Sequence, residues 1–551
     1  MADSAHKQRR LIRAGIIGLA FALLSVALTF IPGFLDGFER RTWDWRVRAL
    51  AKPGDATEEI AVILLDQQSL DWAEEAYGLP WPWPREIYAF VVDFCARAGA
   101  TSLAFDVLYT EESVYGVFDD EVLAGSVAGY GRFVAALFLG NQSGESTTWH
   151  ADAPEPKLAI SGGDSISQFE GAIFERAAFP IPELIATANT LANVSAVPDD
   201  DGVFRRARLF HEFDGRAIPS LALASYMIEN PDIREMAVRE RKISFGESSV
   251  HTDREGRVVI NYRGPSGTHE SYTAAGIIQS EANLLGGEEP PIDPMLLAGK
   301  RVFFGFSAPG LLDLRPSAVA PVYTGVEIHA TVLDNLLSDD FIREFPALPY
   351  RILLGLLIFL CGTSATLALG GLKNILVYVL FLALPGAFGF VAYFVDLWVP
   401  IMEPEVAVFI TLIGAAVANY VTEGRQKRFI QGAFGQYLSP TVIEQLITNP
   451  DQLKLGGERR QLSIFFSDIE GFTTISESLT PESLTSLLND YLSAMSDIIL
   501  AEGGTIDKYE GDAIIAFWNA PIEHPDHAKR VVFAALRCQR VLTEMPKCRT
   551  I

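Results

Sequence analysis

The chain has 551 residues, 69 acidic against 44 basic, for a formal net charge of −25. At roughly 100–200 residues per domain that length makes three or four units; the aromatic and aliphatic content excludes disorder, and a pI of about 4.8 excludes a basic nucleic-acid binder. A hydrophobic fraction of 49% beside 21% charged residues points to membrane spans carrying soluble domains.

Residues 1–10 hold Lys7, Arg9 and Arg10 and lead into an uncharged stretch over 14–31, which predicts a first membrane helix at 11–31. Uncharged runs over 352–372, 374–395 and 406–422 predict three more, at 350–372, 374–395 and 400–422. Each is near the roughly 20 residues that a bilayer core requires, and Pro385 inside the third is tolerated as a kink. Arg13 adds to the cations before the first span, Lys373 lies between the second and third, and Arg425, Lys427 and Arg428 follow the last. Cations on the cytoplasmic side place 32–349 outside and everything after about 423 inside, as expected for a multi-pass protein of a plasma membrane. The segment after residue 31 lacks a small-x-small cleavage signal, so the first span reads as an uncleaved anchor.

Residues 32–349 hold 48 acidic and 25 basic side chains, a net of −23, whereas the remainder holds 21 and 19. The acidity therefore belongs to the outer domain. That domain has one cysteine, Cys95; the others are Cys361, Cys538 and Cys548. An intradomain disulfide outside is excluded, and no CxxC metal spacing occurs. Within the domain, 60–65 predicts a buried strand ending at Asp66, 86–97 an amphipathic helix, and 102–105 a strand ending at Asp106. A strand at 301–306 and a helix at 325–337 follow much later. This alternation predicts an α/β domain with a largely parallel sheet. Asp66 and Asp106 stand at strand C-termini, where open α/β sheets place ligand crevices, although capping or turn formation accounts for each more simply. Trp81 and Trp83, interleaved with prolines, predict a stiff packed loop, and His329 on an apolar helical face reads as a core histidine before a metal ligand.

Six stretches then carry a resemblance: Asp44-Trp-Arg-Val-Arg48, Val62-Ile-Leu-Leu-Asp-Gln-Gln-Ser-Leu70, Trp81-Pro-Trp-Pro-Arg85, Phe105-Asp-Val-Leu-Tyr109, Asp199-Asp-Asp-Gly-Val-Phe-Arg205 and Tyr323-Thr-Gly-Val-Glu-Ile-His-Ala330. In this order they resemble the CHASE type 2 sensor domain of bacterial transmembrane receptors. The resemblance implies a sensory role for 32–349, in a bacterial inner membrane, answering a stimulus that it does not identify.

Residues 423–455 form a coupling segment. Phe429, Ala433, Phe434, Tyr437 and Leu438 recur at helical spacing, and Ser439-Pro440 predicts the start of a second helix over 441–447. The expected role is a dimeric helical relay from membrane to catalyst.

Beyond it, 462–466 predicts a strand closed by Ser467-Asp468-Ile469-Glu470-Gly471-Phe472-Thr473. A helix with the apolar stripe Leu484, Leu487, Leu488, Leu492, Met495 and Ile499 follows, and then a hairpin of 505–509 and 513–518 around Glu510-Gly511-Asp512. Strand, helices and hairpin in that order can place Asp468 beside Asp512. Two converging carboxylates repel, and a divalent cation relieves the conflict; oxygen ligands select Mg²⁺ or Mn²⁺. Gly471 lets the backbone approach a ligand, so that the amides of Glu470 to Thr473 could cradle a triphosphate. Read from the residues, this is a palm-like, metal-dependent site for nucleotide chemistry.

Phe466-Ser-Asp-Ile-Glu-Gly-Phe-Thr473 and Lys508-Tyr-Glu-Gly-Asp512 resemble the two signature motifs of class III nucleotide cyclases. The resemblance implies an α+β, ferredoxin-like cyclase domain over 456–551. It implies that Asp468, Asp512 and the Ile469 carbonyl bind two Mg²⁺ or Mn²⁺ ions, that Gly471, Phe472 and Thr473 meet the substrate, and that Lys508 reads the purine. An ammonium donates to adenine N1, whereas guanine N1 is protonated; a lysine there implies ATP and cyclic AMP. The second purine-reading residue and the family's ribose-orienting Asn and transition-state Arg do not appear before residue 551. In the family these come from the partner in a head-to-tail dimer, so a homodimer or a complementary cyclase chain is the expected partner. The expectation is a sensor-regulated adenylyl cyclase with little or no turnover by this polypeptide alone. The competing one is a receptor subunit whose cyclase half only dimerises. No GG(D/E)EF motif supports a diguanylate cyclase, and no phosphoacceptor helix supports a histidine kinase.

Overall fold

Six uncharged residues, Ile60–Leu65, form β1, an inner strand whose side chains are nearly all buried. A strand covered on both faces must be apolar at every position, and such strands belong to parallel sheets. The computed structural model describes residues 2–31, 33, 35–161, 169, 171–233, 235–239, 241–246, 248–311, 313–368, 371–434, 459–520 and 522–544. It divides into two units, Met1–Leu412 and Ile413–Ile551.

In the first unit, α1 (Ala2–Leu28) and α2 (Asp36–Leu50) precede β1. Then come α3 (Gln67–Tyr77), α4 (Arg85–Ala98), β2 (Ser102–Phe105), α5 (Val117–Tyr130), β3 (Phe133–Gly140) and β4 (Thr190–Asn193). The sequence continues with α6 (Leu221–Glu229), β5 (Glu270–Thr273), α7 (Ala274–Gly286), β6 (Arg301–Phe306) and α8 (Gly325–Ser338). The sheet runs β5-β1-β6-β2-β3, with β4 parallel along β3 and the short strand Arg176–Ala178 antiparallel to it. Register is fixed across the middle, Ile60 opposite Arg301 through Leu65 opposite Phe306. The sheet is therefore parallel throughout its inner strands, as expected from the sequence.

The two faces bury different sets. Ile60, Val62, Ala104 and Phe303 pack with Trp43 and Val47 of α2, Leu221–Ala224 of α6 and Val326, Ile328 and Val332 of α8. Ala61, Ile63, Phe105 and Phe304 pack with Ala73 of α3, Tyr88 of α4, Leu123 of α5 and Ile277 of α7. Alternate side chains of each strand thus serve opposite layers. The chain leaving β2 passes to one face and the chain leaving neighbouring β6 passes to the other.

Several polar residues of the sequence motifs hold this framework together. Asp66 caps α3, accepting from Ser69 N at 2.8 Å and Ser69 Oγ at 2.6 Å. Arg205 donates in a fork to Asp44, Nε to Oδ1 and Nη2 to Oδ2 both at 2.7 Å, and also reaches Asp199 and Asp201. Glu327 accepts from Ser266 Oγ, Gly267 N and Thr324 Oγ1. Trp83 is buried as expected of a packed loop, while Trp81 keeps 39% of its surface and leans edge-on against Phe306.

Three further helices follow: α9 (Ala347–Leu367), α10 (Gly371–Tyr393) and α11 (Met402–Phe434), the last running past Leu412. Among the described residues four helical segments are long and apolar enough to cross a membrane: Leu11–Leu28, Ala347–Leu367, Leu372–Tyr393 and Met402–Val421. Their boundaries differ from the expected ones. The second stops at Leu367 because Ala368 turns extended (φ −65°, ψ 127°), and Lys373, expected between two spans, lies in the first turn of α10. The coupling segment begins inside α11; the helix expected at 441–447 and Cys548 lie outside the described residues.

In the second unit, β7 (Ser463–Ser467) is followed by α12 (Phe472–Ser478), α13 (Pro481–Ala501), β8 (Thr505–Glu510), β9 (Ala513–Trp518) and α14 (His527–Glu544). The strands form an antiparallel sheet ordered β7-β9-β8. Tyr491, Met495, Ile498 and Ile499 of α13 and Ala534 and Cys538 of α14 cover one face, burying Ile506, Ile514, Ala516 and Trp518. The other face leaves Ile464 and Phe466 exposed.

Candidate active site

β7 ends where β9 begins: Ser467 pairs with Ile514, so Asp468 comes out beside Asp512 at the β8–β9 turn. Gly511 supplies the positive φ of +66° at the first position of that two-residue turn. Hydrogen bonding with the neighbouring Asp512 carboxyl, and repulsion between the two, push Asp468 above the usual carboxylate range. Asp512 Oδ2 also accepts the Ile469 amide at 3.0 Å, which pins the Asp468 loop to the hairpin.

Gly471, with φ +72°, is the N-cap of α12, so Phe472 and Thr473 open a helix directly after the Asp468 loop. The Phe472 amide donates to the Ile469 carbonyl at 3.2 Å; a carbonyl has a second lone pair for a cation. Gly471 and Thr473 are exposed, as a phosphate contact requires.

Lys508 stands on β8, and its ammonium pairs with Glu510 Oε1 at 2.6 Å. That pairing raises the lysine above its ordinary value. Residues i and i+2 of a strand share a face, so the partner follows from the sequence Lys508-Tyr-Glu510. Sequence reasoning missed Tyr491. Its ring is buried in α13, and its hydroxyl meets Ser467 Oγ at 3.1 Å, one residue from Asp468. A tyrosine within an apolar stripe is the available signal, since a buried phenol must find a polar partner.

The structure thus brings together Asp468, Asp512 and the Ile469 backbone, sets Gly471, Phe472 and Thr473 immediately after them, and leaves Lys508 along the hairpin in an ion pair. Two oxygen-donor side chains in contact, with a backbone carbonyl adjacent, fit a hard divalent cation.

Comparison with known proteins finds matches in two parts of the chain. Residues 20–365 match the CHASE2 domain, and residues 457–549 match the adenylate and guanylate cyclase catalytic domain. Adenylate cyclase 1 of Rhizobium meliloti (strain 1021) is 37% identical over 84 residues, 15% of this chain and 13% of that protein. An adenylate cyclase of Anabaena cylindrica is 37% identical over 93 residues, 17% of each chain. Among solved structures, the guanylyl cyclase Cya2 is 42% identical over 16% of this chain and 46% of its own, at a TM-score of 0.16. The adenylyl cyclase CyaB from P. aeruginosa is 41% identical over 16% and 48%, also at 0.16. The match to Adenylate cyclase 1 spans 13% of that relative's length, and the match to an uncharacterized Mycobacterium tuberculosis protein, Rv1320c, spans 23%. With the CHASE2 match reaching over more than half its length and the cyclase match following the apolar helices, the chain belongs to the CHASE2-domain family and carries an adenylate and guanylate cyclase catalytic domain.

Proposed function

We propose that the protein is a membrane receptor whose cytoplasmic domain converts ATP to cyclic AMP and pyrophosphate under the control of its CHASE2 domain. The observation that carries this reading is the pairing of Ser467 with Ile514 and the Ile469 amide bond to Asp512, which set Asp468 beside Asp512 at the β8–β9 turn. Asp468 and Asp512, with the Ile469 carbonyl, hold Mg²⁺ or Mn²⁺. Held there, the cations would supply Lewis-acid charge to the reacting nucleotide. In the overall reaction the ribose 3′-hydroxyl gives up its proton to solvent and its oxygen bonds to the α-phosphorus as the bond to pyrophosphate breaks. Gly471, Phe472 and Thr473 border the phosphates, and Lys508 exchanges Glu510 for adenine N1. A second cyclase subunit completes the site. The cationic flanks Lys7, Arg9, Arg10 and Arg13 and, after the last span, Arg425, Lys427 and Arg428 support a cytoplasmic catalyst and an exterior sensor in a bacterial plasma membrane.

The test mixes membranes carrying this protein with an adenylyl cyclase domain whose own metal aspartates are replaced by alanine. Metal ligands in the mixture come only from this chain. Cyclic AMP formed from ATP in Mn²⁺, and abolished by Asp468→Ala here, is expected. Nucleotide cyclisation absent from ATP and GTP alike would leave the alternative, a receptor subunit that only dimerises.

A further inference from the structure

Asp468 is exposed, so packing does not hold it, and its charge and that of Asp512 repel. Its neighbours on both sides are tied down instead. Ile469, the residue after it, donates its amide to Asp512 Oδ2 at 3.0 Å. Ser467, the residue before it, meets the Tyr491 hydroxyl through its Oγ at 3.1 Å. The exposed carboxylate is carried between two anchors, one on the hairpin and one on α13.

The anchor on α13 stands out from its surroundings. The buried residues of that helix are Leu487, Tyr491, Met495, Ser496, Ile498 and Ile499, and of these only Tyr491 and Ser496 bring a hydroxyl. Burying a hydroxyl costs free energy unless it is hydrogen-bonded, and Tyr491, 3% exposed, directs its own to the residue next to Asp468. Burial foremost, with the charges of Cys538, Asp512 and Asp468, raises the phenol above its ordinary value against the pull of Ser467. It therefore stays protonated and adds no third negative charge near the two carboxyls. Ser496, five residues on, bonds instead to the Tyr509 hydroxyl on β8 at 2.9 Å. The two buried hydroxyls of one helix thus serve different strands, and Tyr491 serves the end of β7.

We propose, resting on the reading of Asp468 and Asp512 as cation ligands, that Tyr491 is a positioning residue for that cation site. Its hydroxyl fixes Ser467 at the end of β7 and so sets where Asp468 stands against Asp512 before a cation arrives. Groups that orient metal ligands from outside the coordination shell typically change metal affinity by about tenfold to a hundredfold. The bond between Tyr491 and Ser467 lies one residue away from the ligand itself, so the lower end of that range is expected.

The experiment titrates the full chain in detergent with Mn²⁺ while EPR reads the free ion. The site is the part of the binding that Asp468→Asn combined with Asp512→Asn removes. Tyr491→Phe keeps the ring and removes the hydroxyl, and it is expected to weaken that binding by about tenfold. Ser467→Ala weakens it equally, and the two together weaken it no further, because they remove two ends of one bond. Ser467→Thr keeps the hydroxyl and the affinity, so the bond is tested from β7 even if Tyr491→Phe does not fold. Ser496→Ala removes the other buried hydroxyl of α13 and leaves the affinity as it was. A phenol that only supported the fold would lower the melting temperature and leave Mn²⁺ affinity alone. Unchanged affinity in folded Tyr491→Phe, equal affinities of Ser467→Ala and Ser467→Thr, or losses that simply add overturn the proposal. If the unaltered chain binds no Mn²⁺ that the paired asparagine variant loses, the cation reading itself fails, and Tyr491 has no site to position.

Discussion

The Glu39 carboxylate on α2 accepts the backbone amide of Met402, the first residue of α11, at 2.9 Å, and that of Ile401 at 2.7 Å. It also accepts from Arg46 Nη2 at 2.6 Å and Trp398 Nε1 at 3.2 Å, while Arg46 Nη1 donates to the Val399 carbonyl at 2.9 Å. One carboxylate thus ties the helix that enters the sensor to the start of the helix that runs on to Phe434. The position is physically apt: a negative charge at a helix N-terminus meets unpaired amides and the positive end of the dipole.

Glu39→Gln keeps the size and removes the charge. It is expected to cost about 1 kcal/mol, as loss of a charged cap does, and to speed hydrogen exchange in the first turn of α11. Arg46→Ala costs more, about 3 kcal/mol, because Arg46 is 0% exposed and its removal leaves Glu39 half-paired. Unchanged exchange in residues 402–405 of Glu39→Gln would remove the capping role.

The Asp199-Asp200-Asp201 run separates structural from incidental charge. Arg205 is 1% exposed and held by the Asp44 fork, whereas Asp200 is exposed and, among the described residues, pairs with Arg40 alone. Asp44→Ala is expected to destabilise the sensor by about 3 kcal/mol, since it takes the fork partner from a buried guanidinium that keeps Asp199 and Asp201. Asp200→Ala should stay within about 0.5 kcal/mol. Urea unfolding of the full chain in detergent distinguishes the two; equal losses would show that burial is not what matters.

Much of this was legible in the sequence. The strands at 60–65, 102–105 and 301–306 occur as Ile60–Leu65, Ser102–Phe105 and Arg301–Phe306, because continuous apolar runs bounded by charges leave few alternatives. The stripe of α13 was read from its period, short of Tyr491 and Ile498. Asp468 and Asp512 come together because β7 pairs with β9 across the two intervening helices, and the order strand, helices, hairpin was readable. Strand order was not legible: nothing local says that β6 inserts between β1 and β2. His329 is buried on α8, as the apolar helical face predicts. Helix ends in the apolar segments were equally hidden, because hydropathy changes little where Ala368 breaks α9.

His211 makes the sensor acid-sensitive. Asn193 Oδ1 accepts the amides of Leu139 and Ser195, so its Nδ2 must donate, and it donates to His211 Nδ1 at 3.1 Å. A protonated ring has no lone pair there. Burial, aided by Arg208, lowers the imidazole to about 3. The folded value lies below the unfolded one of about 6.5, so the stabilisation is complete above pH 6.5 and is lost as pH falls toward 3. Between pH 7.5 and 5 the loss is about 2 kcal/mol at 1.36 kcal/mol per unit below 6.5. His211→Asn should flatten that slope in thermal melts of the full chain; a slope unchanged by the substitution would assign the acid sensitivity elsewhere.

Lys508 is the residue on which nucleotide choice is expected to turn. An ammonium donates and cannot accept, which matches adenine N1 and meets a protonated N1 in guanine. A carboxylate at the same place accepts from guanine N1–H and its exocyclic amine. Lys508→Glu also ends the ion pair with Glu510 and sets two carboxylates on one face of β8, so total turnover should fall. The ratio of cyclic GMP to cyclic AMP, measured with the complementing cyclase domain at equal ATP and GTP, should rise by about tenfold to a hundredfold. Replacing Glu510 by glutamine in the otherwise unaltered chain frees the lysine and should leave the ratio on the ATP side. If Lys508→Glu loses turnover with both nucleotides in the same proportion, the side chain supports the hairpin and the purine is read elsewhere.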